Sequence, residues 1–298
     1  MVAPAGWGRL SRFLLMSDPI FFDSHMHTPL CKHAEGHPVL YMEHGVAQGL
    51  AGIIMTCHSP MPNGFSARVR MAPEQFNEYV SLVTEAADTA PEGFEVLLGL
   101  ESDFFPGMES WLRELHERAP FHYILGSVHW HIAEYMDAFW HGDPLAFQKQ
   151  YFEHLAESAE TGLFDSLAHP DLVKNASPVD WRFDRIHPFI EKALDRIAAT
   201  GVAMEINTSG MNKSYPEMNP GPEMLAMMAE RRIPVVIGSD SHTPTRVADG
   251  FVEALEALET AGYESVSLFR DRQRRDLPIA SVKSGLRNEA LSSAFGRG

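Results

Sequence analysis

Phe21-Phe22-Asp23-Ser24-His25-Met26-His27 begins as a buried apolar strand and ends in two histidines one residue apart. Side chains two apart on a strand point to the same face, so His25 and His27 can hold one ion from one side. Six more apolar, β-branched runs follow this first one, Ile20–His27. They are Gly52–His58, Glu95–Glu101, Tyr123–His129, Phe164–His169, Val202–Asn207 and Pro234–Asp240. Helical stretches separate them, at roughly Tyr41–Gln48, Pro73–Ala90, Glu109–Arg118, Pro144–Glu160, Arg185–Thr200, Pro222–Arg231 and Thr245–Ala261. Strands alternating with helices imply parallel pairing through right-handed crossovers. Six of the seven runs end in His, Asp or Glu, and the other ends in Asn207. In a barrel all strand C-termini meet at one mouth, whereas an open sheet would spread these groups along an edge too long to share a site. The expectation is an α/β chain of seven strand–helix units forming a closed or nearly closed barrel.

No linker rich in Pro, Gly or Ser interrupts this pattern, so one domain is expected over residues 20–280. Residues 1–19 read as an extension, with Met16 as an alternative start of translation, and 281–298 as a frayed polar tail. Within 298 residues an apolar content of 45% suffices for a large core. The formal net charge of -16 repels polyanions, and no basic stripe offsets it, so nucleic acid is not an expected partner. The densest basic cluster, Arg270 to Arg275, reads as a solvated face. The two cysteines, Cys31 and Cys57, form no disulfide framework. No apolar run is long enough to span a membrane, and Phe13-Leu14-Leu15-Met16 is too short for a signal-peptide core. A cytoplasmic location is the expectation. Oligomeric state is left open.

The strand ends bring His25, His27, His58, Glu101, His129, His169, Asp240 and His242 to one mouth, and the first loop adds His33, Glu35 and His37. A single histidine at a strand end is usually structural. So many histidines and carboxylates together would be poorly solvated and mutually costly without metal. One ion takes four to six ligands, so the set fits two or three divalent ions, with a carboxylate bridging a pair. The donor types suit Zn, Mn or Fe(II) over Ca or Mg, which prefer oxygen.

Five stretches carry a family resemblance: Asp23 to Gly36, containing Leu30-Cys31-Lys32-His33-Ala34-Glu35-Gly36; Thr56-Cys57-His58-Ser59-Pro60-Met61-Pro62; Gly99 to Phe104; Gly126-Ser127-Val128-His129; and Gly238-Ser239-Asp240-Ser241-His242. In this order the chain resembles the PHP (polymerase and histidinol phosphatase) superfamily of metal-dependent phosphoesterases. The first loop and the Ser-Pro-Met-Pro run make it most similar to the histidinol-phosphatase branch. The resemblance implies a TIM-like, distorted (β/α)7 barrel with three metals. The first would be held by His25, His27, Glu101 and Asp240; the second by Glu101, which bridges, with His129 and His169; the third by His33, His58 and His242. His25, His27, Glu101, Asp240 and His242 are the implied catalytic group. The implied reaction is hydrolysis of a small phosphate monoester, L-histidinol phosphate, by metal-activated water attacking in line. One departure stands out: Thr56-Cys57-His58 occupies a place where Thr-Asp-His is expected, which removes an orienting carboxylate but leaves His58 intact.

Arg70 and Lys174 lie in loops on the mouth side and are candidate phosphate anchors. Glu35, Asp103 and Asp171 are candidates for the amine or imidazole of the substrate. His37, His131, His141 and His187 read as ordinary. The aromatic loop Trp130 to Asp143 reads as a lid or a cover for the rim, and Met224, Met227 and Met228 as core. Alternatives are a nucleotide or other small-ester phosphoesterase on the same scaffold, and a barrel that has lost catalysis, against which the complete ligand set argues. A metal-dependent amidohydrolase is disfavoured because no lysine stands at a strand end.

Overall fold

The structure, a computed structural model, describes residues 21–284. The extension over 1–19 and most of the expected tail lie outside the described residues. Seven parallel strands pair in sequence order: β1 (Phe22–Asp23), β2 (Gly52–Met55), β3 (Glu95–Asp103), β4 (Tyr123–Ser127), β5 (Ser166–Leu167), β6 (Ala203–Asn207) and β7 (Val235–Gly238). Helices run between and after them: α1 (Pro38–Ala47), α2 (Phe76–Thr89), α3 (Glu109–His116), α4 (Ala133–Phe139), α5 (Pro144–Glu160), α6 (Phe183–Thr200), α7 (Pro222–Glu230) and α8 (Phe251–Ala261). The fold is thus the expected α/β, TIM-like barrel of seven strands. Its helix ends follow local chemistry. Asp143 caps α5 by accepting from Leu145 N (2.9 Å) and Ala146 N (3.2 Å), with Pro144 in the first turn. Gly201 closes α6 at φ 75°, a left-handed conformation that glycine adopts without a Cβ clash.

Between β1 and β7 the closure is made by loops more than by strand. Ser24 N and His27 N donate to Ile237 O (3.4 Å) and Ser241 O (2.9 Å), and Ser241 N donates back to His25 O (3.2 Å). The buried Asp23 carboxylate completes the seam, accepting from the backbone of His25 (3.2 Å), Ser239 (3.0 Å) and Ala248 (2.9 Å). Burial outweighs these hydrogen bonds and raises its pKa from 3.8 to about 6. The folded value lies above the unfolded one, so the stabilising contribution is full below 3.8 and is lost as pH rises through about 6. Asp23→Ala is expected to leave buried N–H groups without an acceptor and to cost about 2–3 kcal/mol. Urea denaturation should show the deficit growing as pH falls from above 6 to below 3.8; a deficit independent of pH would contradict this assignment.

The structure also corrects the sequence reading. β1, β2, β4, β5 and β7 stop short of their histidines or aspartates, so those side chains sit on the loops just past the strands. Of the two readings of the aromatic loop, lid or rim cover, the second fits: the loop contains α4, whose Tyr135 is buried and bonded to His154 (2.8 Å), so it packs onto α5. An unanticipated antiparallel hairpin, β8 (Ser265–Arg270) and β9 (Gln273–Pro278), follows α8. Leu268 and Phe269 of β8 join Phe22, Leu97, Tyr123, Ala203 and Val236, residues at or near the strand starts, and so plug the barrel end opposite the histidines. The tail begins later than expected: residues 279–284 are helical, and Ile279 and Val282 are buried in the core. Among the described residues no helix is long and apolar enough to cross a membrane.

Candidate metal centre

Glu101 leaves the inner face of β3 fully buried and stands at the middle of the histidine cluster. Its Oε2 lies 2.7 Å from His58 Nδ1, 3.5 Å from His25 Nε2 and 3.6 Å from His27 Nε2. Its Oε1 lies 3.1 Å from His169 Nε2 and 3.3 Å from His129 Nε2. One carboxylate therefore faces two groups of nitrogens. Asp240 Oδ1 adds to the first group, 3.1 Å from His27 Nε2 and 3.7 Å from His25 Nε2, and the two Nε2 atoms are 3.3 Å apart. A tetrahedral ion with ligands at about 2.0–2.2 Å has edges of about 3.3–3.6 Å, so His25, His27 and Asp240 are spaced like three corners of the shell of one small transition-metal ion, with Glu101 Oε2 within 3.6 Å of both histidines.

The backbone is shaped for this convergence. His169 (φ 27°) and Asp240 (φ 49°) both take positive φ, a strained conformation for non-glycine residues that concentrates at functional sites. Gly238 is required by space. A Cβ there would meet Glu205 Oε1 at 2.1 Å and the Cβ of His25 at 2.6 Å.

Carboxylates behind the cluster orient the rings. Glu205 Oε1 lies 2.7 Å from His25 Nδ1, while its Oε2 accepts from His169 N (2.9 Å) and Asn207 Nδ2 (3.0 Å). Asp103 Oδ1 lies 2.8 Å from His129 Nδ1 and accepts from Ser127 Oγ at 2.8 Å. A proton held on Nδ1 by such a partner leaves Nε2 free as a donor to an ion. Glu205 was not anticipated. Its signal was an acidic residue inside the apolar β6 run Ala203-Met204-Glu205-Ile206-Asn207, where a fully buried glutamate needs partners.

The donor set fits transition-metal ions on the structure's own terms. Glu101 Oε2, His58 Nδ1 and His242 Nε2 are buried, and none makes a hydrogen bond among the described residues. His58 Nδ1 and Glu101 Oε2 are close but not aligned as donor and acceptor. The electrostatics are just as uneven. Burial opposes charge on His25, His27, His58, His129 and His242. At His25 the carboxylates of Glu205, Glu101 and Asp240 outweigh it and push the pKa well up. Asp240, Cys31 and Glu101 raise His27 to about 9, and Asp103 and Glu101 raise His129 to about 10. Burial wins at His58, lowered to about 4, and at His242, lowered to about 3 with help from His27. Buried lone pairs left without hydrogen bonds among imidazole and carboxylate donors fit a site for cations.

A cavity of about 480 Å³ opens onto the cluster, lined by His33, His58, His129, His169, Asp240 and His242. Its cations are Lys213, 3.5 Å from Asp240 Oδ2, and Arg246, whose Nη2 has no hydrogen-bond partner among the described residues. The sequence points to Arg70 and Lys174 as the phosphate anchors, and the structure corrects this. Arg70 is buried against Asp103, Ser66 Oγ and Ser59 O (2.9 Å). Lys174 is buried against Asp171 (3.0 Å), Glu217 (2.9 Å) and Met218 O (2.7 Å). Neither lines the cavity, and Asp103 and Asp171 are spent as their counter-ions. Glu35 is exposed and outside the lining, contacting the site only through its backbone N to His242 O (2.9 Å). His131, read as ordinary, lines the cavity together with Trp130. His37 caps α1 through Val39 N (3.3 Å).

A closed seven-stranded barrel carrying histidines and carboxylates at one mouth defines a class, and a model of the PHP domain matches residues 23–209. The chain belongs to the PHP domain family. It is 35% identical over 264 residues to a probable histidinol-phosphatase of Deinococcus radiodurans, covering 84% of this chain and 97% of that one. It is 23% identical to the histidinol-phosphatase of Bacillus subtilis over 265 residues, 78% of this chain and 98% of the relative. Among solved structures, it shares the fold of a Lactococcus lactis histidinol phosphate phosphatase complexed with Zn, L-histidinol and phosphate. That likeness has a TM-score of 0.71 at 20% identity, covering 86% of this chain and 99% of that one.

Proposed function

We propose that this protein hydrolyses the phosphate monoester of L-histidinol, releasing L-histidinol and phosphate, as a cytoplasmic metal-dependent phosphatase of histidine biosynthesis. The observation that carries the reading is Glu101 set between two groups of imidazole nitrogens, of which His58, His129 and His169 line a cavity together with Lys213 and Arg246. The naming of the relatives as histidinol-phosphatases supports the choice of ester.

His25, His27, Glu101 and Asp240 would hold one ion, and Glu101, His129 and His169 a second. His33, His58 and His242 are the expected set for a third. Zn, Mn or Fe(II) suits these donors. Such ions, when bound, supply Lewis-acid neutralisation of phosphoryl charge and acidify water. The chain's own residues do the rest. Glu205 and Asp103 keep the protons of His25 and His129 on Nδ1 and so aim both Nε2 atoms at Glu101. Lys213 and Arg246 bring positive charge to the mouth, where a phosphate dianion enters. Trp130, His131 and Leu172 wall the cavity and limit water around the ester.

The test is phosphate release from L-histidinol phosphate, a nucleoside monophosphate and an aryl phosphate by the metal-loaded protein. A preference for histidinol phosphate by orders of magnitude in kcat/KM is expected. Comparable slow turnover of all three would keep the phosphoesterase and reject the substrate.

A further inference from the structure

Around His242 the donor atoms group differently from the expected trio of His33, His58 and His242. A thiol enters the set: Cys31 Sγ and ring nitrogens of His33 and His242 all lie within 4.8 Å of one another. His58 turns its Nδ1 to Glu101, 2.7 Å away, and groups with Glu101 and His129 as well as with His27 and His242. The local chain explains how Cys31 arrives. Pro29–Cys31 form a single 3-10 turn, and Lys32 at φ 70° reverses direction, which folds His33 back beside the cysteine.

Both rings are held by backbone carbonyls. His33 Nδ1 lies 2.8 Å from Cys31 O, and His242 Nδ1 lies 3.0 Å from Asp240 O. A ring that donates from Nδ1 to a carbonyl keeps its lone pair on Nε2. The two rings stack with centroids 4.6 Å apart. His242 Nε2 is buried and makes no hydrogen bond among the described residues. A buried free cysteine is ordinarily a small apolar filler. Here it lies within 4.8 Å of ring nitrogens of two histidines, one of which carries an orphaned lone pair, surroundings that suit an ion better than filler.

We propose that Cys31 is a thiolate ligand of the third metal ion, bound together with His33 and His242, and that this position selects a thiophilic divalent ion such as Zn(II) over Mn(II) or Mg(II). The proposal rests on the metal-dependent reading above. On binding, the S–H bond breaks, its proton passes to solvent, and a metal–sulfur bond forms. Soft thiolate and imidazole donors together suit Zn(II) and Co(II), and disfavour ions that seek oxygen. The centre would then be chemically uneven, with two sites of imidazole and carboxylate beside one that contains sulfur.

Cobalt reports sulfur directly, because Co(II)–thiolate bonds absorb strongly in the near ultraviolet and imidazole or carboxylate ligands do not. The full chain, stripped by a chelator and reloaded with Co(II), is expected to show this band. The chain has two cysteines, so the band can come only from Cys31 or Cys57. It should vanish in Cys31→Ser and persist in Cys57→Ser, with circular dichroism checking that each variant folds. Visible ligand-field bands without the ultraviolet band would overturn the thiolate ligand and leave the metal centre standing. A band lost only in Cys57→Ser would overturn the assignment to Cys31. No cobalt binding at all would overturn both this proposal and the metal-dependent reading.

Discussion

Glu101→Gln is expected to strip two of the three expected ions from the site while leaving the barrel folded. The change is isosteric, so packing around a fully buried side chain is kept. What it removes is the anionic bridge proposed above. Oε1 serves His129 and His169 within 3.3 Å, and Oε2 serves His25, His27 and His58 within 3.6 Å. An amide presents one weak oxygen donor and an NH2 group that repels a cation. Two of the three expected ions share this residue, so elemental analysis should find at most about one ion per chain retained. Each bound ion supplies several kcal/mol of charge stabilisation to the transition state, and 1.36 kcal/mol is a factor of ten. Phosphate release is therefore expected to fall by at least about 10³-fold. A variant that keeps a full metal complement and loses less than about tenfold would show that Glu101 is not the bridge.

The barrel was legible because its signal is repeated. Each apolar run is followed by a helix, and nearly every run terminates in a group that can bind metal. One misread run would not have hidden the closure. The hairpin after α8 was illegible for a local reason. Its turn is Asp271-Arg272, both at positive φ (51° and 58°), a two-residue reversal normally announced by Asn or Gly. The basic residues around it masked the alternation of Val266 and Leu268 with Ser265 and Ser267.

Within the site, residues at strand ends were legible and residues that act through burial were not. Arg70 and Lys174 looked like free cations because a sequence records charge and loop position but not a counter-ion distant along the chain. Asp103 and Glu217, 33 and 43 residues away, neutralise them. Lys213 and Arg246 were overlooked for the converse reason: nothing local distinguishes a cation beside a cavity from one in solvent. Glu205 carried a readable signal in the polarity of its strand. Cys31 carried none, because its meaning depends on the reversal at Lys32 and on His242 arriving from beyond β7.

The buried Arg70–Asp103 pair links the stability of the barrel to the aim of His129. Arg70 is only 1% exposed, and Asp103 2%. Burial alone would raise the Asp103 pKa, but Arg70 and then His129 overcome it and hold the carboxyl well below its usual range. Arg70→Leu is expected to cost about 3–5 kcal/mol, because it strands a buried carboxylate. The native carboxyl titrates far below its unfolded value, so in the wild type its contribution is present at neutral pH and is lost only in strong acid. In the variant the carboxyl is easier to protonate, so the deficit should shrink as pH falls toward the ordinary carboxylate range near about 4. Adding Asp103→Asn should recover part of the lost stability, since a neutral amide needs no counter-ion. It should also lower activity by roughly 10- to 100-fold, because His129 loses the carboxylate that orients its Nδ1. Denaturation curves and phosphate release on the two single variants and the double variant form a thermodynamic cycle for this pair. Strictly additive losses would mean that Arg70 stabilises the loop through Ser59 and Ser66 alone, and that Asp103 answers only to the histidine.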